Sequence, residues 1–421
     1  MLDSRTPARL RLFPTASVVV LSLIISLLVA VALPPAARAQ EPVGATDGLE
    51  VTSTGETVLA GGQGRVTVRA TNPDGVDLYN ASAVVVLPVG VTYVAGSATP
   101  GAPNGVGEPT ILSWIPDPTD PDADDPFTAQ VLVWENVADL PRGASTSVSF
   151  AIEADDARYP VGSSFAVGSG IYATDDERDL PDVTVPASGA PEVTGATEGG
   201  SVDATVTVIA LSVSKAETGN AEAEVYRGPA NPATYTVTVR TAPTAGTDDV
   251  VVEDLVPATF TVTGCDDSDY TCEIVEVDGE VFTKLTWDLG DVGAGRTIAL
   301  TYNAYVALRE VTLPDADQPG APTRPMTGGY AVTNTVEASG TYTGDVVEGG
   351  VKAITTSDEA TVTVLDVGIV KTVAGDRFVA GENKTFRLDV RTSEYIDATG
   401  VSVVDTIPDG MCPVLPAGVT P

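Results

Sequence analysis

The chain has 421 residues, a formal charge of −36 and no histidine. Without imidazole there is no histidine-based triad, no histidine-ligated zinc and no imidazole general base, which removes a large share of ordinary hydrolase mechanisms. The charge disfavours nucleic acid and anionic membranes as partners and fits a soluble, self-repelling chain.

In chain order, Arg5, Arg9 and Arg11 come first, ahead of an uncharged, largely apolar run from Ala16 to Leu33 that meets Pro34 and Pro35. With Ala37 and Ala39 around Arg38, this pattern predicts a secretory signal peptide over residues 1–39 and a mature start at Gln40. The run is shorter than the roughly 20 residues that span a bilayer. No second run of its kind follows, so no membrane insertion is expected of the mature fragment.

Self-comparison organises the remainder. Asp203-Ala-Thr-Val-Thr-Val-Ile-Ala-Leu-Ser-Val-Ser-Lys215 returns 156 positions later as Glu359-Ala-Thr-Val-Thr-Val-Leu-Asp-Val-Gly-Ile-Val-Lys371, and a diverged copy begins near Leu49. Each copy opens with an early strand (Val66–Ala70, Tyr235–Val239, Phe386–Val390). A valine-rich strand follows and ends in a proline turn at Leu87-Pro88, Val256-Pro257 or Ile407-Pro408. In two copies Trp134 or Trp287 leads through Gly143 or Gly295 to Ser147–Phe150 or Ala299–Tyr302. Alternating valine, threonine and aromatic residues, punctuated by Gly, Pro and Asp, predict strands throughout.

The expected fold is all-β, with tandem immunoglobulin-like β-sandwich domains after the signal peptide. A diverged repeat 1 covers 40–204, repeat 2 covers 205–365 and an incomplete repeat 3 covers 366–421. Thr205–Val208 runs almost directly into Leu211, and Val364 into Val367, so the array is expected to be a semi-rigid rod. The third copy stops after its proline turn; the natural protein is expected to continue into further repeats, with the partner of Cys412 and any anchor beyond Pro421.

Between Trp114 and Phe127, Asp117, Asp120, Asp122, Asp124 and Asp125 crowd one loop. Asp120, Asp122 and Asp124 have the opening spacing of a calcium loop, but Asp125 stands where glycine is wanted and Val131 where a bidentate glutamate is wanted. The loop reads first as a solvated, proline-broken stretch, with calcium as the competing use and no other cofactor expected. Asp175, Asp176, Glu177 and Asp179 form a second stretch of the same kind. Trp134 and Trp287, at equivalent positions, read as core residues in preference to a sugar-stacking platform. In an exported chain Cys265 and Cys272 are expected to form a disulfide, a local brace of about 2.5 kcal/mol at most by the chain-entropy model.

Three polar residues carry chemistry. Because alternate strand residues share a face, Lys215 points with Leu211 and Val213, Asp254 with Val252 and Val256, and Asn334 with Val332 and Val336. A lysine and an aspartate aimed into a core are costly unless paired or neutralised. Aligning the first copy puts Ser53, Val85 and Ser169 at the three positions, while the third copy keeps Lys371 and Asp405.

The run Val-Val-Asp405-Thr-Ile-Pro-Asp-Gly, with a lysine in the strand before it, resembles the conserved-repeat domain of prokaryotic surface proteins, number eleven of the domain-of-unknown-function series. It is also similar to the isopeptide-forming domains of Gram-positive fimbrial subunits. The resemblance covers 205–421 well and 48–200 in outline. It implies that Lys215, on a first strand, attacks the side chain of Asn334, on a last strand, with Asp254 as the assisting acid. The residues themselves leave a second arrangement open, a buried Lys215–Asp254 ion pair with Asn334 as hydrogen-bond partner.

The functional expectation is a secreted, non-enzymatic cell-surface stalk of adhesin type with an unidentified surface or matrix ligand. Two alternatives stand beside it: a ligand- or calcium-binding module centred on repeat 1, and an accessory region of a larger secreted enzyme.

Overall fold

A computed structural model describes residues 48–55, 57–73, 76–100, 107–114, 129–185, 190–220, 223–265, 269–311, 328–373, 381–407, 411–412 and 414. The segment 1–39 and Asp120, Asp122 and Asp124 lie outside the described residues. All elements among the described residues are strands.

Thirteen strands precede Ala210: β1 (Glu50–Thr54), β2 (Thr57–Leu59), β3 (Gln63–Thr71), β4 (Leu78–Leu87), β5 (Val91–Tyr93), β6 (Thr99–Pro100), β7 (Thr110–Trp114), β8 (Ala129–Leu140), β9 (Ser145–Ala154), β10 (Ser164–Thr174), β11 (Asp182–Thr184), β12 (Glu192–Thr194) and β13 (Glu198–Ile209). One sheet runs β1-β3-β9-β5, with β6 also on β9, and a second runs β2-β13-β10-β4-β8-β7. Period-two alternation builds the layer between them: β3 turns Val66, Val68 and Ala70 inward against Val85, Trp134, Phe150 and Val167.

Strand β4 departs from that alternation. Its Val84-Val-Val-Leu87 run is buried on both faces because the β11–β12 hairpin brings Val193 and Val183 over Val84, Val86 and Tyr172. A continuous apolar run is what a doubly covered strand requires.

Ten further strands follow: β14 (Leu211–Glu217), β15 (Glu224–Tyr226), β16 (Ala233–Thr241), β17 (Thr247–Pro257), β18 (Phe260–Thr263), β19 (Thr271–Val277), β20 (Glu280–Val292), β21 (Thr297–Val306), β22 (Tyr330–Tyr342) and β23 (Ala353–Leu365). They form the sheets β14-β16-β21-β18 and β15-β23-β22-β17-β20-β19 around a second core. Here β17 alternates from Val250 onward, with Val252, Asp254 and Val256 inside and Glu253 on the other face. Between β19 and β20, Asp278 and Gly279 both take positive φ, the conformation of a two-residue hairpin turn whose twist matches its strands. The Cys265–Cys272 disulfide closes the loop before β19.

The two sandwiches share a topology in which the opening strand is divided between both sheets. β2 lies parallel to β13 as β15 lies parallel to β23. Residues 204 and 205, where the sequence divides its first two repeats, fall inside β13, and Leu211 opens the next sheet. After Asp366, β24 (Val367–Val373) and β25 (Phe386–Thr392) pair antiparallel, leaving Ile369, Leu388 and Val390 exposed.

The junctions reuse one backbone clasp with different side chains. Ala242 N–H donates to the Ala210 carbonyl at 2.8 Å, and Ser393 N–H donates to the Asp366 carbonyl at 2.7 Å. At the first junction Ala60, Ala210 and Ala242 are buried together. At the second, the buried Arg227 donates through Nε to Asp366 Oδ1 at 2.5 Å and stacks its guanidinium over Tyr395. Gly328 N–H and Ser393 Oγ donate to the same carboxylate at 2.9 and 3.0 Å.

Candidate functional site

The core of the second sandwich holds a polar cluster built from both sheets. Strand β14 turns Leu211, Val213 and Lys215 inward, and the lysine side chain has no solvent exposure. From the opposing sheet β17 supplies Asp254, whose Oδ2 accepts from Lys215 Nζ at 2.6 Å. Asp254 stands opposite Val336 on β22, which makes Asn334 its diagonal neighbour on the same face. Asn334 is fully buried, and its Nδ2 donates to the hydroxyl of Tyr302 at 2.6 Å.

Two tyrosines complete the site, which the sequence pattern marks only as strand residues. Tyr235 on β16 and Tyr302 on β21 lie directly opposite each other and stack with centroids 5.2 Å apart. Lys215 Nζ lies 5.2 Å from the Tyr235 ring centroid and 5.6 Å from that of Tyr302. The signal that finds them is the internal repeat, because the first sandwich has Val66 opposite Phe150 at the equivalent pairing, with no hydroxyl at either position.

Burial dominates the electrostatics. It lowers the Lys215 amine to about 8 against the attraction of Asp254, and it raises the Asp254 carboxyl against the attraction of Lys215. Burial also holds the Tyr302 hydroxyl well above its ordinary value, with the Asp254 charge adding to the effect. Both partners of the contact are therefore pushed toward neutrality. Three of the buried side-chain oxygens without a hydrogen-bond partner belong to this cluster: Asp254 Oδ1, Asn334 Oδ1 and Tyr235 Oη. Each buried oxygen of this kind calls for an explanation, and a proton held on Asp254 would turn one of its oxygens from an acceptor into a donor.

A stability signature follows for a chain in which the amine and acid stay titratable. In Asn334→Ala, the unfolded state binds more protons than the folded state between about 8 and the ordinary lysine range, so stability rises with pH through that window. At the acid side the folded state holds the extra proton on Asp254, so stability rises as pH falls toward the ordinary carboxylate range. The contribution of the pair is thus expected to be least favourable near neutral pH. Urea midpoints, taken as differences from a chain that also carries Lys215→Met and Asp254→Leu, measure it; a difference most favourable to the pair at neutral pH would contradict the assignment.

The register corrects one internal alignment. Asn334 stands opposite Ala360 on β23, and in the first sandwich Val167 stands opposite Ala204, the matching alanine. Val85 on β4 pairs with Ser169, as Asp254 pairs with Val336. The counterpart of Asn334 is therefore Val167, and Ser169 corresponds to Val336. Asn334 also lies on the penultimate strand of its sandwich, β22, with β23 following.

Past the second junction, Lys371 Nζ contacts Asp405 Oδ1 at 2.7 Å and sits 4.6 Å from the centroid of Phe386, which holds the position of Tyr235. This pair is about one-third exposed. Asp176 is engaged by Arg178, and among the described residues no group of three or more metal-ligating side chains could hold a metal ion. Trp134 and Trp287 are buried. Cys412 is exposed and unpaired among the described residues.

No family model matches the chain, and no curated protein matches it. Among solved structures, the C-terminal domain of the antigen I/II polypeptide BspA of Streptococcus agalactiae is 9% identical, with 74% of this chain and 99% of that one covered, at a TM-score of 0.21. The C-terminal domain of the Streptococcus pyogenes antigen I/II-family protein AspA is 11% identical, with 75% and 99% covered, at 0.21. Red sea bream transglutaminase is 10% identical, with 76% of this chain and 31% of that one covered, at 0.23. At these TM-scores the likenesses carry no argument about this chain.

Proposed function

We propose that the chain is an exported, non-enzymatic surface stalk of adhesin type, built from tandem immunoglobulin-like sandwiches, in which the repeat at 205–365 is locked by an amide bond between Lys215 and Asn334. In this reading residues 1–39 are a cleaved leader, 40–204 a repeat without the lock, and 366–421 the opening of a third repeat. The Cys265–Cys272 disulfide supports export.

One observation carries the lock: a lysine amine with no solvent exposure sits against a buried aspartate in the core that also buries Asn334, while the first sandwich has none of the three. Burial frees the amine to attack and keeps the acid protonated. Nζ adds to Asn334 Cγ while Asp254 protonates the amide oxygen and takes the proton released by Nζ; that proton passes to Nδ2, which departs as ammonia as the carbonyl reforms and its oxygen returns a proton to Asp254. The chemistry happens once and leaves a crosslink between the two sheets.

Intact mass tests it. The wild-type chain is expected to be lighter than its sequence by one ammonia, beyond the two hydrogens of the disulfide, whereas Lys215→Ala should keep the ammonia. If both chains match their calculated masses, the cluster is an ion pair with a hydrogen-bonded asparagine and the lock does not exist.

A further inference from the structure

We propose that Tyr302 is a catalytic residue of the crosslinking step, its hydroxyl delivering the proton that turns the Asn334 amide nitrogen into a leaving group. This rests on the Lys215–Asn334 reading and adds a residue to it. The geometry has three parts. Asn334 Nδ2, the atom that must depart, is held on Tyr302 Oη at 2.6 Å, in a site with no exposure at Asn334 and next to none at Tyr302. Asp254 already contacts Lys215 Nζ through Oδ2, so it is placed to receive the proton of the attacking amine, and its side chain also acts directly on the Tyr302 hydroxyl. The third part is the first sandwich, where Phe150 takes the place of Tyr302: the ring is kept and the hydroxyl is lost in the repeat that also lacks the lysine, the acid and the asparagine.

The protons balance. On attack, the Nζ–Cγ bond forms, the carbonyl oxygen takes the Asp254 proton, and Nζ returns one to Asp254. Tyr302 then protonates Nδ2 and is reprotonated from Asp254. The Cγ–Nδ2 bond breaks as the carbonyl reforms, the carbonyl oxygen gives its proton back to Asp254, and ammonia leaves. Net, one proton travels from Nζ to Nδ2, and Tyr302 and Asp254 end as they began. A hydroxyl that resists standing as a phenolate is suited to pass a proton on only as it receives another.

The test is a time course of intact mass during cell-free synthesis of the whole chain. Tyr302→Phe is expected to slow ammonia loss by about 100-fold, within the range general acid catalysis contributes. Because phenylalanine could also disturb folding, fluorotyrosines of graded acidity are placed at 302 by suppression; the rate is expected to track phenol acidity, which a packing role would not produce. A phenylalanine chain that crosslinks as fast as wild type, or a rate flat across the fluorotyrosines, overturns the role of Tyr302 and leaves the crosslink standing. A wild-type chain that never loses ammonia overturns the crosslink itself, and that outcome is read from the wild-type trace alone.

Discussion

Asp254→Ala is expected to destabilise the second sandwich by about 8 to 10 kcal/mol. Two effects add. Without the acid the amide does not form, and the chain-entropy model gives closure of a loop of roughly 100 residues about 4.7 kcal/mol. Lys215 is also left buried without its partner, a loss of about 3–5 kcal/mol for a broken buried pair. Domains of this kind have only about 5–15 kcal/mol of stability in all. At about 2–4 °C per kcal/mol for a domain of this size, the calorimetric transition should fall by at least roughly 16 °C. The first sandwich, with Ser53, Val85 and Val167 at the corresponding positions, supplies the unshifted reference transition in the same scan. Lys215→Met with Asp254→Leu removes both charges together and should recover the ion-pair portion, leaving only the loss of the crosslink. An Asp254→Ala transition at the wild-type temperature would show that neither effect operates.

Mechanical unfolding is expected to separate the locked and unlocked chains as sharply. Tension entering at Leu211 passes along β14 to Lys215, crosses to Asn334 on β22, and leaves through β23. Residues 216–333, 118 in number, never bear load. At roughly 3.5 Å per extended residue, they represent about 400 Å of contour length that the wild type does not release. Single-molecule pulling should therefore show the second-sandwich event lengthened by about that amount in Lys215→Ala. The remainder of β22 and all of β23 lie outside the covalent loop and should still peel away in both chains. Equal contour lengths in the two chains would rule out the bond.

Much of this architecture is legible because strands write their facing into the sequence. Period two placed Lys215, Asp254 and Asn334 toward the apolar side of three separate strands, and each is buried in the second core. The 156-residue repeat then made their absence near the N-terminus informative. What stayed hidden depended on pairing between strands. Gly168-Ser169-Gly170 offers a polar residue two positions from the true counterpart of Asn334, and only the ladder with β13 shows that Val167 occupies it. Tyr302 looked like any aromatic on a strand, since the facing asparagine is 32 residues away. The double burial of β4 was visible as an unbroken valine run, but the hairpin responsible comes about a hundred residues later.

The two junctions carry a further meaning, one of order. Ala210 fits only against a neighbour that presents small, apolar surface, as Ala60 and Ala242 do, whereas Asp366 is satisfied by Arg227 and Ser393. A chimera that attached the segment after Asp366 directly to the first sandwich would set that carboxylate beside Ala60, with no guanidinium to receive it. The reverse exchange would strand Arg227 against Ala210. Since an unmatched buried charge costs several kcal/mol, stranding the buried Arg227 is the costlier exchange, while Asp366, a quarter exposed, would lose its partner at smaller cost; each unit thus favours its own successor. The sequence of units along the chain is in this sense spelled in the joints, and recombination between units within the chain would be penalised at the first misplaced letter.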